Sequence, residues 1–318
     1  MSKQKVVILG GTGFIGRNLV ERFSQNPDYD VYATCLNRSP FGENVTWNKV
    51  DLTNADDVEK VITGMDIVIQ AAATTSGSKD IANKPYIHVT DNAVMNSHIL
   101  RSCFDNKVKK FVFYSCTVMY QSSDTPISED DFNPSNELLP QYFGVGHTKL
   151  YVEKMCEFYS RICDTEFVVL RNSNVYGPHD KYDLEKSHVF GATITKVLTN
   201  KDGKLPVWGD GSEVRDFIYV EDLTKRTEEL CSRETGPLLI ANNGSGESTT
   251  ISNLVEKIID ASGKGMTIEY SKNTPSFKNK APINVDKIND ILENKETTSL
   301  VDGIEKTVSW YRENIETT

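Results

Sequence analysis

The sequence lacks the features that mark membrane, secreted and nucleic-acid-binding proteins. No run of about 18 apolar residues occurs, so we expect no membrane span. The chain enters a strand-like segment almost at once (MSKQKVVILGG), so we expect no signal peptide either. Acidic side chains outnumber basic ones by 45 to 35, giving a net charge of −10, and such a balance disfavours nucleic acid as a partner. A local basic pocket for one phosphorylated ligand is still compatible with this balance.

Cysteine and histidine are few and follow no metal-binding pattern. The 6 cysteines form no Cys-x-x-Cys pair, and the 5 histidines form no His-Glu-x-x-His motif. Isolated cysteines in apolar surroundings are typical of a reduced protein, and we therefore expect a cytoplasmic location without disulfides. We also expect no metal ion, because a metal site needs several such ligands close together.

Strand-like and helix-like segments alternate through the first half of the chain. Short apolar runs predict strands, and segments with apolar residues at helical spacing separate them. This alternation predicts β-α-β units and hence an α/β fold, a Rossmann-type doubly wound parallel sheet. The predicted strands are residues 5–10, 30–36, 66–72, 110–115 and 166–171, and the predicted helices are a stretch from residue 14 and residues 55–63, 92–106 and 149–162.

The pattern changes after about residue 172. Segments rich in glycine, proline and asparagine alternate there with short helical stretches, for example at 251–261 and 302–313. A chain of 318 residues is long enough for two domains of about 150 residues each. We therefore predict a Rossmann domain of residues 1–172 with about 214–242, and a smaller α+β C-terminal substrate lobe of residues 173–213 and 243–318.

A glycine motif stands between the first predicted strand and the first predicted helix. Gly10, Gly13 and Gly16 have the spacing Gly-x-x-Gly-x-x-Gly. In a dinucleotide-binding loop such glycines allow a tight turn, a close approach of the backbone to the pyrophosphate, and close packing of helix on strand. The helix start at Phe14 and Ile15 supplies free N–H groups for the phosphates. The motif therefore predicts a dinucleotide cofactor.

The end of the second predicted strand indicates which dinucleotide is bound. An acidic residue there would bind the ribose hydroxyls of NAD, but the sequence reads YATCLNR, without a carboxylate. Asn37 and Arg38 could instead receive a 2′-phosphate, since a guanidinium binds phosphate through two hydrogen bonds. We therefore favour NADP over NAD. The alternative is that Arg38 is an ordinary surface arginine.

Further segments carry a resemblance to a known family. They are Asp51-Leu52, the alanines at 71–73, Asn92 in VTDNAVMNSHIL, and VYGP at 175–178. With the glycine loop they resemble the extended short-chain dehydrogenases/reductases that act on nucleotide sugars, the nucleotide-sugar epimerase/dehydratase family. Two longer stretches, LRNSNVYGPHDKYDLEKSHVFGATITKV and LPVWGDGSEVRDFIYVEDL, are most similar to its GDP-L-fucose synthase (GDP-4-keto-6-deoxymannose epimerase/reductase) branch.

The resemblance implies a cofactor on the first domain and a sugar nucleotide held by the second. Asp51 and Leu52 would flank the adenine. The other cofactor-binding residues that it implies are Ala71, Ala72 and Ala73, along the pyrophosphate and the nicotinamide ribose, together with Asn92, Ser115 and Lys149.

The resemblance also implies a set of substrate-binding residues. Asn174 would contact the substrate, Arg215 would bind its diphosphate, and His188 would act as an acid in epimerisation. Lys196 and Trp208 would be further substrate contacts. Two alternatives stay open: His188 as a helix-start residue, and Arg215 as an ion-pair partner of a neighbouring carboxylate. The family also implies a homodimer, formed through the predicted helices at 92–106 and 149–162.

The catalytic residues of the family are only partly present. The family uses a serine or threonine and a Tyr-x-x-x-Lys pair, whose lysine lowers the pKa of the tyrosine. Lys149 matches the lysine, but Val145 stands at the tyrosine position, and a valine cannot transfer a proton. Cys116 stands at the hydroxyl position, with Ser115 and Thr117 on either side.

Several residues could replace the missing tyrosine. Tyr142 precedes Lys149 on the same helical face, and an irregular turn at 143–146 would let it approach. His147 is the second candidate because imidazole titrates near neutral pH; Cys116 and Thr117 follow. We therefore expect an NAD(P)-dependent 4-keto-sugar reductase or epimerase that acts on a GDP-sugar. Two alternatives stay open: a binding protein of the same fold without turnover, and a UDP- or dTDP-sugar 4-epimerase.

Overall fold

A seven-stranded parallel sheet is the largest feature of the computed structural model, which describes residues 3–75, 84–184, 186–271 and 282–316. Other strands form two smaller sheets. In chain order the strands are β1 (Gln4–Leu9), β2 (Tyr29–Cys35), β3 (Thr46–Lys49), β4 (Ile67–Gln70), β5 (Lys110–Cys116), β6 (Glu166–Asn172), β7 (Asn174–Tyr176), β8 (Lys204–Trp208), β9 (Val214–Tyr219), β10 (Leu238–Asn243), β11 (Ser248–Thr250) and β12 (Thr267–Ser271).

Helices connect most of these strands. In chain order the α-helices are α1 (Phe14–Phe23), α2 (Ala55–Ile62), α3 (Thr90–Asp105), α4 (Phe143–Tyr159), α5 (Val189–Thr199), α6 (Val220–Ser232), α7 (Ile251–Ser262), α8 (Asp286–Ile291) and α9 (Leu300–Tyr311). Short 3₁₀ helices cover Pro85–His88, Glu129–Asp131 and Pro140–Tyr142.

The strand order of the large sheet is β10-β6-β5-β4-β1-β2-β3. β2 and β3 follow β1 toward one edge of the sheet. β4 pairs with the other side of β1, and β5, β6 and β10 follow it toward the opposite edge. This order places a reversal between β1 and β4, where ligands bind in doubly wound folds. The predicted Rossmann-type α/β fold is confirmed.

The large sheet is covered by helices on both faces. Residues 6–9 of β1 are fully buried and point alternately into two hydrophobic cores. Leu19 of α1 and Leu223 of α6 pack on one face, and Ile99 of α3 and Val152 of α4 pack on the other. Burial on both faces explains why these strands appear in the sequence as continuous apolar runs.

The smaller lobe has its own core and sheets. β9 pairs with β7 and β11, and β8 pairs with β12. Tyr176, Phe190, Leu254 and Ile304 are among the buried residues that form its core. The lobe is not one continuous stretch of chain, because β10 returns to pair with β6 in the large sheet. The domain boundaries given above stay a prediction.

One helix begins earlier than predicted. The predicted helix starts at residue 149, with an irregular turn at 143–146 as a way for Tyr142 to approach, but α4 begins at Phe143 and includes Gly144 and Gly146. Gly146 is buried, and a Cβ atom there would lie 2.6 Å from Cδ1 of Leu138. The glycine therefore serves close packing rather than a turn, and residues 143–146 form no irregular turn.

The described part of the chain lacks the features of a membrane span and of a metal site. Within the described ranges, no helix is long and apolar enough to cross a membrane. The same part of the chain holds no group of three or more His, Cys, Asp or Glu side chains that could bind a metal ion.

A buried ion pair ties α4 to the sheet. Arg171 of β6 and Glu153 of α4 are both almost fully buried, and Nη2 of the arginine lies 2.8 Å from Oε2 of the glutamate. Ser115 donates to Oε1 of the same glutamate at 2.6 Å, and Arg171 donates to the hydroxyl oxygen of Tyr120 at 2.9 Å. These bonds hold α4 against the carboxyl ends of β5 and β6.

Glu153→Gln should lower the free energy of unfolding by about 3–5 kcal/mol, because Arg171 would then keep a buried charge without its counter-ion. Urea denaturation measures the change. Glu157→Gln on the same helix is the control. Glu157 pairs with Lys154 and Arg161 at the surface, so this variant should lose less than about 1 kcal/mol. Equal losses in the two variants would contradict the assigned role of the buried pair.

Candidate active site

The glycine loop brings the backbone of β1 and α1 into very close contact. Gly10 has a φ of 77°, and a Cβ atom on it would lie 2.6 Å from Cα of Ala72. A Cβ atom on Gly16 would lie 2.1 Å from the carbonyl oxygen of Gly10. Thr34 of β2 holds the loop, since its hydroxyl accepts from the Gly10 N–H at 2.8 Å. Any larger side chain at Gly10 or Gly16 would force the loop apart.

The N-terminus of α1 presents free donors at this loop. Gly13 is the N-cap residue and provides no side chain to cap the helix. The N–H groups of Phe14, Ile15 and Gly16 therefore have no acceptor within the helix. Such donors, with the positive end of the helix dipole, fit the pyrophosphate of a dinucleotide.

The segment after β4 is fixed by Asn92. The side-chain amide of Asn92 donates to the carbonyl of Thr74 at 2.8 Å and to that of His88 at 3.0 Å, and its oxygen accepts from the Thr74 N–H at 3.0 Å. This uses both ends of the amide. Asn92 therefore positions the segment that contains Ala71, Ala72 and Ala73, and its predicted contact with the cofactor stays a prediction.

The residues expected near the adenosine lie at the ends of β2 and β3. Asn37 and Arg38 are exposed, and Nη1 of Arg38 donates to the carbonyl of Thr12 in the glycine loop at 3.0 Å. Arg38 is therefore held over the loop rather than free at the surface. Asp51 is exposed, whereas Leu52 is largely buried and packs in the hydrophobic core on the α3 side of the sheet.

The carboxyl end of β5 carries Cys116 and meets Lys149. Nζ of Lys149 donates to the carbonyl of Tyr114 at 2.7 Å and lies 4.6 Å from the ring centre of Phe113. Burial lowers the pKa of Lys149. Burial also raises the pKa of the Cys116 thiol, although the nearby charge of Lys149 opposes that shift. The thiol is therefore protonated at neutral pH.

The side chains of the two neighbours of Cys116 differ in burial and in hydrogen bonding. Thr117 is half-buried and follows directly after the strand. Ser115 is buried, and its hydroxyl donates to Glu153 in the ion-pair network. The Ser115 side chain is therefore bound to α4, and its predicted contact with the cofactor stays a prediction.

Tyr142 lies at the site, and His147 does not. Tyr142 is the N-cap residue of α4 and is half-buried. Burial raises the pKa of its phenol, and the charge of nearby Arg215 opposes that shift, while nearby Glu213 and Cys116 add to it. His147 is exposed and packs edge-on against Phe143, at a ring-centre distance of 4.5 Å. We therefore rank Tyr142 above His147 as the proton donor.

The second lobe contributes residues along β7, β9 and the start of α5. Nδ2 of Asn174 donates to the carbonyl of Asp216 at 2.9 Å, which places it beside Arg215. His188 is the N-cap residue of α5 and is solvent-accessible. The surrounding protein lowers the pKa of His188, and Lys181 also lowers it, so the imidazole is neutral at pH 7. A neutral imidazole is poorly suited to the acid role that the resemblance implies.

Lys196 of α5 contacts β8, the strand that ends at Trp208. Nζ of Lys196 donates to the carbonyl of Pro206 at 3.2 Å, and burial lowers the pKa of this lysine. Trp208, two residues further along the strand, is 52% exposed. Trp208 therefore lies two residues along β8 from the carbonyl that Lys196 binds.

Sequence reasoning missed Lys181. It lies in the DKYD segment, and its Nζ donates to the carbonyl of Thr75 in the first domain at 2.9 Å. A single lysine in an irregular loop has no spacing that would mark it, and its partner is distant in the sequence.

Comparison with known proteins identifies the family. The model of the NAD dependent epimerase/dehydratase family matches residues 6–227. The chain belongs to this family. The predicted family is thereby confirmed, and the cofactor is a nicotinamide dinucleotide, NAD or NADP.

Relatives extend over nearly the whole chain. GDP-L-fucose synthase of Escherichia coli (strain K12) is 24% identical, covering 99% of this chain and 98% of that protein. A putative UDP-glucose 4-epimerase of Methanocaldococcus jannaschii is 26% identical, covering 97% of this chain and 99% of that protein. The structure of UDP-N-acetylglucosamine 4-epimerase from Methanobrevibacter ruminantium superposes with a TM-score of 0.85 at 24% identity, covering 99% of this chain and 100% of that one. This structural likeness bears on the fold alone.

Proposed function

We propose that this protein is a nucleotide-sugar oxidoreductase, a 4-keto-sugar reductase or epimerase, with a GDP-sugar as its substrate and NADP as its preferred cofactor. The observation that carries the proposal is the position of Tyr142. Arg215, Glu213 and Cys116 all influence the pKa of its phenol, and Lys149 influences that of Cys116, so these groups share one electrostatic environment. This supports Tyr142 as the phenol that replaces the family's tyrosine, which is Val145 here.

The acid in this proposal is the Tyr142 phenol. Because burial raises its pKa, the phenol is protonated at neutral pH. A protonated phenol can donate to the oxygen of a carbonyl group that is being reduced, whereas oxidation of an alcohol needs a base at that position. The environment of Tyr142 therefore favours keto reduction. When bound, the dinucleotide supplies or accepts the hydride.

Other residues of the chain would bind and orient the cofactor. The first-turn N–H groups of α1 would hold the pyrophosphate of the cofactor. Lys149 would bind the nicotinamide ribose, and its ammonium group adds positive charge beside the reacting oxygen. Arg38, held over the glycine loop, would receive the 2′-phosphate of NADP.

The sugar nucleotide would lie along the second lobe. Arg215 would bind its diphosphate beside Asn174. Lys196 and Trp208 would bind the nucleotide at β8, where the exposed indole could stack on the base. The names of the relatives include both GDP- and UDP-linked sugars, and the similarity of the 170–197 stretch to the fucose-synthase branch favours GDP.

A panel of nucleotide sugars tests the proposal. Purified protein is mixed with NADPH or NADH and with GDP-, UDP- and dTDP-linked 4-keto sugars, and the near-ultraviolet absorbance of the reduced nicotinamide is followed. Product analysis of the matching unmodified sugars detects epimerisation. We expect turnover with a GDP-sugar and NADPH. Binding of cofactor and sugar nucleotide without turnover across the panel would instead indicate a non-catalytic binding protein.

Tyr142→Phe should lower turnover by about 10²- to 10⁴-fold and leave cofactor affinity unchanged, because it removes only the proton. His147→Ala is the matched control on the same helix and should keep full activity, since His147 is exposed and faces Phe143. Steady-state kinetics and cofactor titration measure both effects.

A rescue variant strengthens this test. Val145→Tyr in the Tyr142→Phe background rebuilds the Tyr-x-x-x-Lys pair and should restore part of the turnover. If Tyr142→Phe keeps full activity, the proton comes from Cys116, Thr117 or an ordered water, and the assignment of Tyr142 is wrong.

We also propose a homodimer in the cytoplasm. The free state of the six cysteines supports the location. Support for the dimer comes from large apolar side chains left exposed on α3, α4 and their flanks, where a second copy would cover them. These side chains are Tyr86, Val94, Phe143, Tyr151, Phe158 and Ile162.

Phe158→Glu should convert the dimer to a monomer, since a carboxylate would be buried without a partner in the interface. Light scattering coupled to size-exclusion chromatography gives the mass. Leu184→Glu is the control, because Leu184 is similarly exposed but belongs to neither α3 nor α4. A monomeric wild-type protein would disprove the dimer, and an unchanged dimer in Phe158→Glu would place the interface elsewhere.

A further inference from the structure

A short segment of the second lobe contacts the middle of α1. The carbonyl of Pro178 accepts from Nδ2 of Asn18 at 3.0 Å, and Nε2 of His179 lies 3.3 Å from Oε1 of Glu21. Asn18 and Glu21 both belong to α1. Residues 178–181 are therefore anchored beside the helix whose N-terminus faces the phosphate site.

Lys181 continues this segment over the cofactor loops. Its Nζ donates at 2.9 Å to the carbonyl of Thr75, in the segment after β4. Arg38, at the end of β2, donates at 3.0 Å to the carbonyl of Thr12 in the glycine loop. In the large sheet β1 lies between β4 and β2. Lys181 is therefore bound to the segment after β4, and Arg38 is bound to the neighbouring loop after β1.

The charges around Lys181 are only partly balanced. Burial lowers the pKa of Lys181, the charge of Asp180 opposes that shift, and the nearby positive charges of Arg38 and Lys186 add to it. Asp180 is adjacent, but burial raises its pKa to about 7, so it is only partly ionised at neutral pH. Like charges held close together favour an anion between them.

We propose that Lys181 binds the pyrophosphate of the dinucleotide, exchanging the carbonyl of Thr75 for a phosphate oxygen. A hydrogen bond from an ammonium to a phosphate is stronger than one to a neutral carbonyl. Thr75 lies on the β4 side of the glycine loop, whereas Arg38 lies on the β2 side, where the 2′-phosphate of NADP would lie. The second lobe would thus contribute directly to cofactor affinity. This inference does not depend on the identity of the sugar.

The test compares cofactor affinities without any sugar substrate. Lys181→Met should weaken NADH and NADPH alike, by about tenfold or more, because the pyrophosphate is common to both. Arg38→Met should weaken NADPH and leave NADH nearly unchanged. Lys204→Met is the control, since Lys204 pairs with Glu269 at the surface of β8 and should change neither affinity. Fluorescence titration of the reduced cofactors gives the dissociation constants.

Two further measurements make the result decisive. Lys181→Arg should keep most of the affinity for both cofactors, which shows that the positive charge matters. The thermal midpoint of each variant without cofactor should equal that of the wild type, which separates lost binding from lost folding. Unchanged affinity in Lys181→Met would overturn the proposal, and so would a loss confined to NADPH, which would assign Lys181 to the 2′-phosphate.

Discussion

The geometry of the site depends on how closely α1 approaches the end of β1. Backbone atoms fill the space that side chains occupy elsewhere, because a Cβ atom on Gly16 would lie 2.1 Å from the Gly10 oxygen. This contact brings the first-turn N–H groups of α1 to the centre of the sheet edge. The segments after β2 and β4 then lie on either side of those donors. A single steric condition thus sets the relative positions of the three segments that form the cofactor site.

The sequence was sufficient for the parts of the fold that depend on local pattern. The strand predicted at 110–115 is Lys110–Cys116 in the structure, because burial on both faces leaves an unmistakable apolar run. β3 was not predicted, since its four residues TWNK are polar and partly exposed. The start of α4 was missed because glycine has low helix propensity, and the contact that favours Gly146 is with Leu138 in another segment.

In the site, too, the features that depend on local pattern could be predicted, and those that depend on contacts made by folding could not. The glycine spacing is local and could be read directly, and so could the absence of the tyrosine at position 145. The hydrogen bonds of Asn92 and Ser115 could not be predicted from the sequence. Each depends on a partner that only folding brings close, Thr74 for Asn92 and Glu153 for Ser115. Tyr142 was recognisable as a candidate, but its proximity to Arg215 depends on the second lobe.

The pairing of β10 with β6 has a consequence for how the chain is made. Residues 173–237, which include much of the second lobe, lie between these two neighbouring strands in the sequence. During synthesis the edge of β6 therefore stays unpaired until residue 243 has left the ribosome. An unpaired edge invites pairing with other chains. The two lobes thus cannot fold as consecutive units, and a fragment that ends near residue 172 would expose an open sheet edge to aggregation.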